Sequence, residues 1–193
     1  MRDDHDDDRA AMLRLQAGED TALNELMSRW QHPLVGFILR YVGSEAEALD
    51  LAQETFIRVF ESRHRYKPKA KFSTWMFTIA SNLCRNLHRW RTRHPSISLD
   101  APDPDGRTVA DRIESDAESP ADTATRGELA AAVREQIQAL PHDLKTAILL
   151  FEYEDLSYQQ IAAILRCSPK AVETRLYRAR RILGEKLADW RAE

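Results

Sequence analysis

The stretch Leu156-Ser-Tyr-Gln-Gln-Ile-Ala-Ala-Ile-Leu-Arg-Cys-Ser-Pro-Lys-Ala-Val-Glu-Thr-Arg-Leu-Tyr-Arg-Ala-Arg-Arg181 reads as two helices joined by a tight turn. Ser157 stands three residues before Gln160, the spacing of a capping box that opens a short helix. Ile161, Ala162 and Leu165 give that helix one apolar face. Ser168 is placed to cap a second helix with Pro169 at its first position, where a missing N–H costs nothing. In that second helix Val172, Leu176, Ala179 and Leu183 recur at helical spacing and face inward. Lys170, Glu173, Thr174, Tyr177, Arg178 and Arg181 are left pointing outward. Side chains able to read base edges, set beside side chains able to grip phosphates, suit the DNA major groove. The plainer reading is a two-helix packing unit with a solvated charged face.

Charge along the chain favours the nucleic-acid reading. The net charge of the 193 residues is only −3, but it is sharply segregated. Arg58 to His94 holds ten Lys and Arg against one acidic residue, and Arg166 to Arg191 holds eight against three. Ser96 to Thr125 reverses the sign, with eight acidic residues against two basic ones. Asp3, Asp4, Asp6, Asp7 and Asp8 make the N-terminus acidic too. One basic patch is well explained as a solvated face. Two, separated by an acidic tether, point to two contacts with one polyanion.

The organisation follows from helical periods and turn residues. Pro95, Pro102, Pro104, Pro120 and Gly106 break a segment rich in Asp and Ser, with no sustained apolar period. On either side helical periods dominate and strand signals are weak. The expected fold is therefore all-α, with two small helical domains joined by a flexible acidic linker: residues 1–95, linker 96–125, and residues 126–193. In the first domain Asp20 can cap a helix that runs to Tyr41 and Val42 and ends at Gly43. Leu23, Leu26, Trp30, Leu34 and Ile38 supply its apolar contacts. Ser44 with Glu47 opens a helix through about Glu61, and a third helix should run from after Ser73 to about Arg91. The second domain should hold a helix near Glu128–Leu140 and another from Pro141 to about Glu152, ahead of the helix-turn-helix.

Two helix faces carry chemistry. In the helix after Ser44, Ala48, Ala52, Thr55, Phe56 and Val59 form the inward stripe, while Asp50, Gln53, Glu54 and Ile57 share another face that suits a docking partner. Exposed acidic helix faces are common, so that signal alone is weak. In the third helix Met76, Ile79, Ala80, Leu83 and Leu87 form a core stripe. Trp75, Thr78, Asn82, Arg85 and Arg89 share the opposite side, an arrangement that suits unstacked bases, which stack on rings and bond to amides and guanidinium groups. The preceding loop, Arg63-His-Arg-Tyr-Lys-Pro-Lys-Ala-Lys-Phe72, sets Tyr66 and Phe72 among Arg63, Lys67, Lys69, Lys71 and other basic residues. The alternative for Phe72 and Trp75 is packing between the helices of this domain.

Other classes find little support. There is no phosphate-binding Gly-rich loop, no dinucleotide turn and no nucleophile elbow, so the chain is not read as an enzyme. No cofactor or metal is expected: Cys84 and Cys167 form no C-x-x-C pair, and the histidines show no zinc spacing with them. Reduced, structural thiols are expected. Without a signal-peptide core or a long apolar run, a cytoplasmic protein with no direct membrane insertion is expected.

Three segments resemble a known family. Asp50-Leu-Ala-Gln-Glu-Thr-Phe-Ile-Arg-Val-Phe60, Phe72-Ser-Thr-Trp-Met-Phe-Thr-Ile-Ala-Ser-Asn-Leu83 and Leu156–Arg181 resemble, in this order, segments of bacterial extracytoplasmic-function (group 4) sigma factors. These are the small two-domain specificity subunits of RNA polymerase. The resemblance implies a region 2 helical bundle in residues 1–95 and a region 4 helix-turn-helix in residues 126–193. It implies that Asp50, Gln53, Glu54 and Ile57 meet the clamp coiled-coil of the largest polymerase subunit, with the second domain near the flap. Arg63, Tyr66, Lys67, Lys69, Lys71, Phe72, Trp75, Asn82 and Arg85 would hold the melted −10 strand, with Asn82 and the loop taking a flipped base. Ser168, Lys170, Ala171, Glu173, Thr174, Tyr177, Arg178 and Arg181 would read or grip the −35 duplex, and Arg175, off the outward stripe, would touch a phosphate. Glu173 departs from the basic residue of some members, and a carboxylate there can accept from a cytosine amino group.

Further partners implied are promoter DNA and an anti-sigma protein. The acidic tether would pass toward the RNA exit path, although a solvated spacer predicts the same composition. The rival reading is a stand-alone helix-turn-helix repressor or activator. That reading leaves Trp75, Asn82 and the Asp50–Ile57 face without a purpose.

Overall fold

The computed structural model describes residues 4–94 and 120–188, all of them helix, turn or connecting loop, with no strand. The first module contains α1 (Asp4–Gln16), α2 (Ala22–Val42), α3 (Glu45–Glu61), a short 3-10 turn (Arg63–Arg65) and α4 (Phe72–Arg93). The second contains α5 (Pro120–Ala139), α6 (His142–Glu152), α7 (Tyr158–Leu165) and α8 (Pro169–Lys186). The all-α, two-module reading of the sequence holds.

Local signals set most boundaries. Gly43 terminates α2 at φ +80°, with its N–H on the Leu39 carbonyl at 2.9 Å, a conformation glycine adopts without Cβ strain. Ser44 accepts from the Glu47 N–H to start α3. Glu47 turns its own carboxylate to Arg91 of α4, tying the start of one helix to the end of another. The Ser157–Gln160 capping box is complete in both directions. Ser168 accepts from the Ala171 N–H at 3.2 Å, with Pro169 opening α8.

One apolar core cluster runs through both modules. In the first, Leu26, Leu34, Phe37, Ile38, Phe56, Met76 and Phe77 are buried, and the Phe37 and Phe77 rings meet edge-on at 5.3 Å. The expected inward stripe of α3 is buried throughout, from Ala48 to Val59. In the second, Leu149, Leu150, Ile161, Val172, Leu176 and Ala179 are buried. At roughly 1.5–3 kcal/mol for each fully buried large side chain, these contacts dominate the stability of both modules.

Two expectations need correction. The acidic N-terminus is not simply a charged tail: α1 begins at Asp4 and packs on α2 and α4. Asp8 is buried, accepting from the Trp30 indole N–H at 2.9 Å and pairing with Arg29 at 2.8 Å. One carboxylate of the run therefore serves the core, while Asp6 and Asp7 stay exposed. The second departure is at the linker, where helix begins at Pro120, six residues before the expected boundary.

The modules touch. The end of α2 lies against α5 and α6, and α4 packs on α7.

Candidate nucleic-acid interface and docking face

The first face is built on α4 and the loop before it. Gln16 of α1 donates to the Arg63 carbonyl at 2.7 Å and the Tyr66 carbonyl at 3.0 Å, pinning the loop's backbone. The Tyr66 hydroxyl donates to the Ala70 carbonyl at 2.8 Å, closing the basic segment on itself. Lys67, Lys69 and Lys71 are left exposed beside the start of α4. Arg63 is not with them. Its guanidinium folds back to the Phe60 carbonyl at 2.8 Å and lies 4.2 Å over the Phe60 ring.

The aromatic residues divide. Tyr66 and Phe72 are 3% and 1% exposed, so neither offers a face to a base as the sequence reading expected. Tyr66 lies 5.4 Å from Trp75, and Phe72 lies between Trp30 and Trp75 at 6.3 and 6.4 Å. Burial pushes the Tyr66 phenol up. Both rings back Trp75, which is half-buried. Asn82 lies along the same helix, its amide donating to the Thr78 carbonyl at 2.8 Å and accepting from Arg85 at 2.6 Å. An asparagine has a second N–H and further lone-pair capacity, so Asn82 is oriented and still able to bond outward. Arg85 and Arg89 are exposed beside it.

The second face is the outer side of α8. Lys170, Glu173, Thr174, Tyr177, Arg178 and Arg181 are all exposed, as the spacing predicts, and Tyr177 is 68% exposed. Lys170 and Glu173 form an exposed pair at 2.8 Å. Ala171 is half-buried, and Ser168 uses one of its two lone pairs on the helix cap. Arg175 lies off that outer stripe. Its guanidinium bonds the Asp143 carboxylate at 2.6 Å and the Cys167 sulfur at 2.8 Å, so it ties α8 to the start of α6.

The third face lies on α3. Asp50, Gln53 and Ile57 are exposed, and Glu54 is half-buried and bound to Arg58 at 2.6 Å. Beside them, between α2 and α3, runs an apolar groove of about 750 Å³ lined by Met27, Val35, Leu49, Phe56, Ile57 and Phe60 among others. The sequence pattern flagged Ile57 alone. The exposed Leu49 was the further signal, since it lies eight residues before Ile57 on the same helix.

An exposed outer face on α8, a separate basic face carrying a ring and an amide, and an acidic-apolar face on α3 suit a DNA-binding protein that works with a larger partner. Comparison with known proteins gives its family. Residues 26–94 match Sigma-70 region 2, and residues 130–183 match Sigma-70, region 4. The RNA polymerase sigma-H factor of Pseudomonas aeruginosa is 35% identical over 180 residues, covering 93% of each chain. The ECF RNA polymerase sigma-E factor of Haemophilus influenzae is 36% identical over 181 residues, covering 93% of this chain and 95% of that one.

Among solved structures, CnrH in complex with the cytosolic domain of CnrY superposes with a TM-score of 0.69 at 23% identity, over 95% of this chain and 98% of that one. The sigma factor RpoE of Bartonella quintana, in complex with the anti-sigma factor NepR, gives 0.64 at 24% identity, over 87% and 98%. Both show the shared fold. The chain belongs to the extracytoplasmic-function sigma factors of the sigma-70 family and acts in transcription initiation. The match along nearly its whole length leaves the stand-alone regulator without support.

Proposed function

We propose that the chain docks on core RNA polymerase through Asp50, Gln53, Glu54 and Ile57, reads the −35 duplex with α8 and captures the melted −10 strand on α4. In this reading residues 1–95 and 126–193 work as separate grips. Trp75 stacks on an unpaired base, Asn82 bonds its edge, and Lys67, Lys69, Lys71 and Arg85 hold the backbone. Lys170, Glu173, Thr174, Tyr177 and Arg178 face the duplex, with Arg181 gripping phosphate. Arg63, Tyr66, Phe72 and Arg175 support these residues from behind. Polymerase performs the chemistry; this chain supplies address and strand capture. Its place of action is the cytoplasm, where polymerase is, and no helix among the described residues is long and apolar enough to cross a membrane. The groove beside Ile57 suits an anti-sigma protein that competes with polymerase.

The observation that carries the reading is the presence, on two modules of one chain, of an exposed recognition helix and a separate Trp75–Asn82 face. Run-off transcription with core enzyme, this protein and a promoter library is the test. A promoter-specific transcript that depends on the protein is expected. No core binding and no specific transcript would overturn the reading.

A further inference from the structure

A polar cavity of about 200 Å³ is lined chiefly by Cys84, His88 and Arg91 of α4, Gln138 of α5 and Lys145 of α6. Packing holds its walls in place. The end of α2 lies on α5 and α6, α4 lies on α7, and one apolar cluster runs through both modules. The polar lining is therefore an exception within a closed core, and core packing does not account for it.

The lining is one-sided in charge. Lys145 is 3% exposed, with its ammonium 3.4 Å from the Tyr41 carbonyl and 4.6 Å from the Tyr41 ring. An ammonium has three N–H donors, so one long bond leaves most of its capacity unused. Arg91 gives one N–H to Glu47 and another to the Val42 carbonyl at 3.3 Å. A guanidinium has five donors, so Arg91 can also bond into the cavity. Among the described residues no acidic side chain lines it. Cys84 does not supply the missing charge, because burial pushes its thiol up to about 12.

The basic groups feel one another. Lys145 is held down to about 8 by burial first, with Cys84 opposing and Arg91 adding to the effect. His88 is lowered by burial, and Lys145 and Arg91 lower it further. Buried charge without a counter-charge is costly, and salt in the solvent screens it little. A negative ligand in the cavity would meet all three groups at once. Size narrows its class. At roughly 30 Å³ per water the volume takes about six waters, or one phosphate of five heavy atoms with a few waters. A tetrahedral oxyanion presents oxygens to several walls together, as donors on three helices require.

We infer that this cavity is a binding site for a small phosphate-class anion, held by the Lys145 ammonium, the Arg91 guanidinium and the Gln138 amide, with His88 at its edge. The anion gives Lys145 the counter-charge it lacks and ties α4 of the first module to α5 and α6 of the second. Nucleic acid carries the same phosphate chemistry, but a strand of linked nucleotides does not fit a volume of this size.

Calorimetry and thermal melts of the full chain with inorganic phosphate, at an ionic strength held constant with sodium chloride, test the site. Wild type should bind saturably, and at about ten times Kd its melting midpoint should rise by roughly 3–6 °C. Lys145→Met keeps much of the stem and removes the ammonium. It should bind phosphate about tenfold or more weakly, with unchanged helical circular dichroism. Should it lose helicity, Arg91→Gln, at an exposed position, replaces it with the same expectation. No phosphate effect beyond the chloride control, or equal binding by a folded variant, would overturn the site. Displacement of phosphate by a single-stranded −10 oligonucleotide would also overturn it, by placing the anion on the nucleic-acid face. No arm uses polymerase or a promoter, so failure of promoter-specific transcription would sink the functional reading and leave the phosphate site to be decided by these measurements.

Discussion

Gln16 donates to the Arg63 carbonyl at 2.7 Å, so the acidic N-terminal helix holds the basic loop that follows α3. The same amide reaches the Tyr66 carbonyl, and both bonds cross from α1 to a segment about fifty residues later. The loop's lysines are thereby presented by a helix that carries no part of the proposed nucleic-acid face.

Gln16→Ala removes both bonds and frees the loop. At about 1 kcal/mol per hydrogen bond, affinity for a single-stranded −10 oligonucleotide should fall about fivefold or more, measured by fluorescence anisotropy on the full chain. Duplex −35 binding should not change. Equal losses on both ligands would place the effect in global stability.

Arg175 and Arg178 stand three residues apart on α8 and should behave differently in salt. Arg178 is exposed, and as a phosphate contact its change to Gln should reduce the slope of log K against log salt by about 1. Arg175 is bound to Asp143, so Arg175→Gln should leave the slope unchanged and weaken −35 binding at every salt concentration. Asp143→Ala should reproduce that pattern. A reduced slope for Arg175→Gln would mean that its guanidinium leaves Asp143 to meet DNA.

The sequence was most legible where a single helix decides the outcome. Ser157, Gln160, Ser168 and Pro169 are local signals, and α7 and α8 form as those residues dictate. The outward stripe of α8 and the inward stripe of α3 follow from the 3.6-residue period alone. Contacts between distant segments were not legible. Nothing near Asp8 announces that Trp30 and Arg29 will bury it, since five clustered aspartates read as solvated charge. Tyr66 and Phe72 sit among lysines in sequence, but the loop's path turns both rings inward beneath Trp75. Arg175 was correctly placed off the outer stripe, yet its partner Asp143 lies in another helix. The Tyr41–His142 bond joins α2 to α6 across the linker, and no local pattern in either segment encodes that pairing.

Arg166 closes α7 with φ +51° and ψ +50°, a left-handed conformation that costs a residue with a Cβ roughly 1–2 kcal/mol. Glycine adopts it freely but loses more entropy on folding. Arg166→Gly should therefore raise stability by up to about 1 kcal/mol, read as a higher urea midpoint at constant slope. Arg166→Val should lower it by about 1–2 kcal/mol, since branching at Cβ worsens the clash. The two variants should move in opposite directions, and parallel shifts would show that the guanidinium, not the backbone, matters there.

Two half-buried groups of the second module, His142 and Glu154, respond to acid in opposite senses. His142 is held down to about 4 by burial first, with Arg85, His88 and Lys145 adding to the effect and Asp143 opposing it. Glu154 is pushed up to about 7 by burial, aided by Asp155 and opposed by Arg40 of the other module. A base with a depressed pKa binds fewer protons in the folded chain than in the unfolded one. Its contribution to stability is therefore complete above about pH 6.5 and is lost as the pH falls toward 4. A carboxyl with a raised pKa does the reverse: what it contributes is present below about 4.5 and lost as the pH rises through 7. Between pH 7 and 5 the two offset each other, and the urea midpoint of the wild-type chain should change little. In Glu154→Gln only the histidine remains, and acidification from pH 7 to 5 should lower the folding equilibrium constant by about tenfold, allowing for screening of a group that keeps some solvent contact. Urea titrations across that range read the shift. The His142→Ala midpoint should rise on acidification instead, and a Glu154→Gln midpoint that does not move between pH 7 and 5 would mean that His142 is not held neutral by burial.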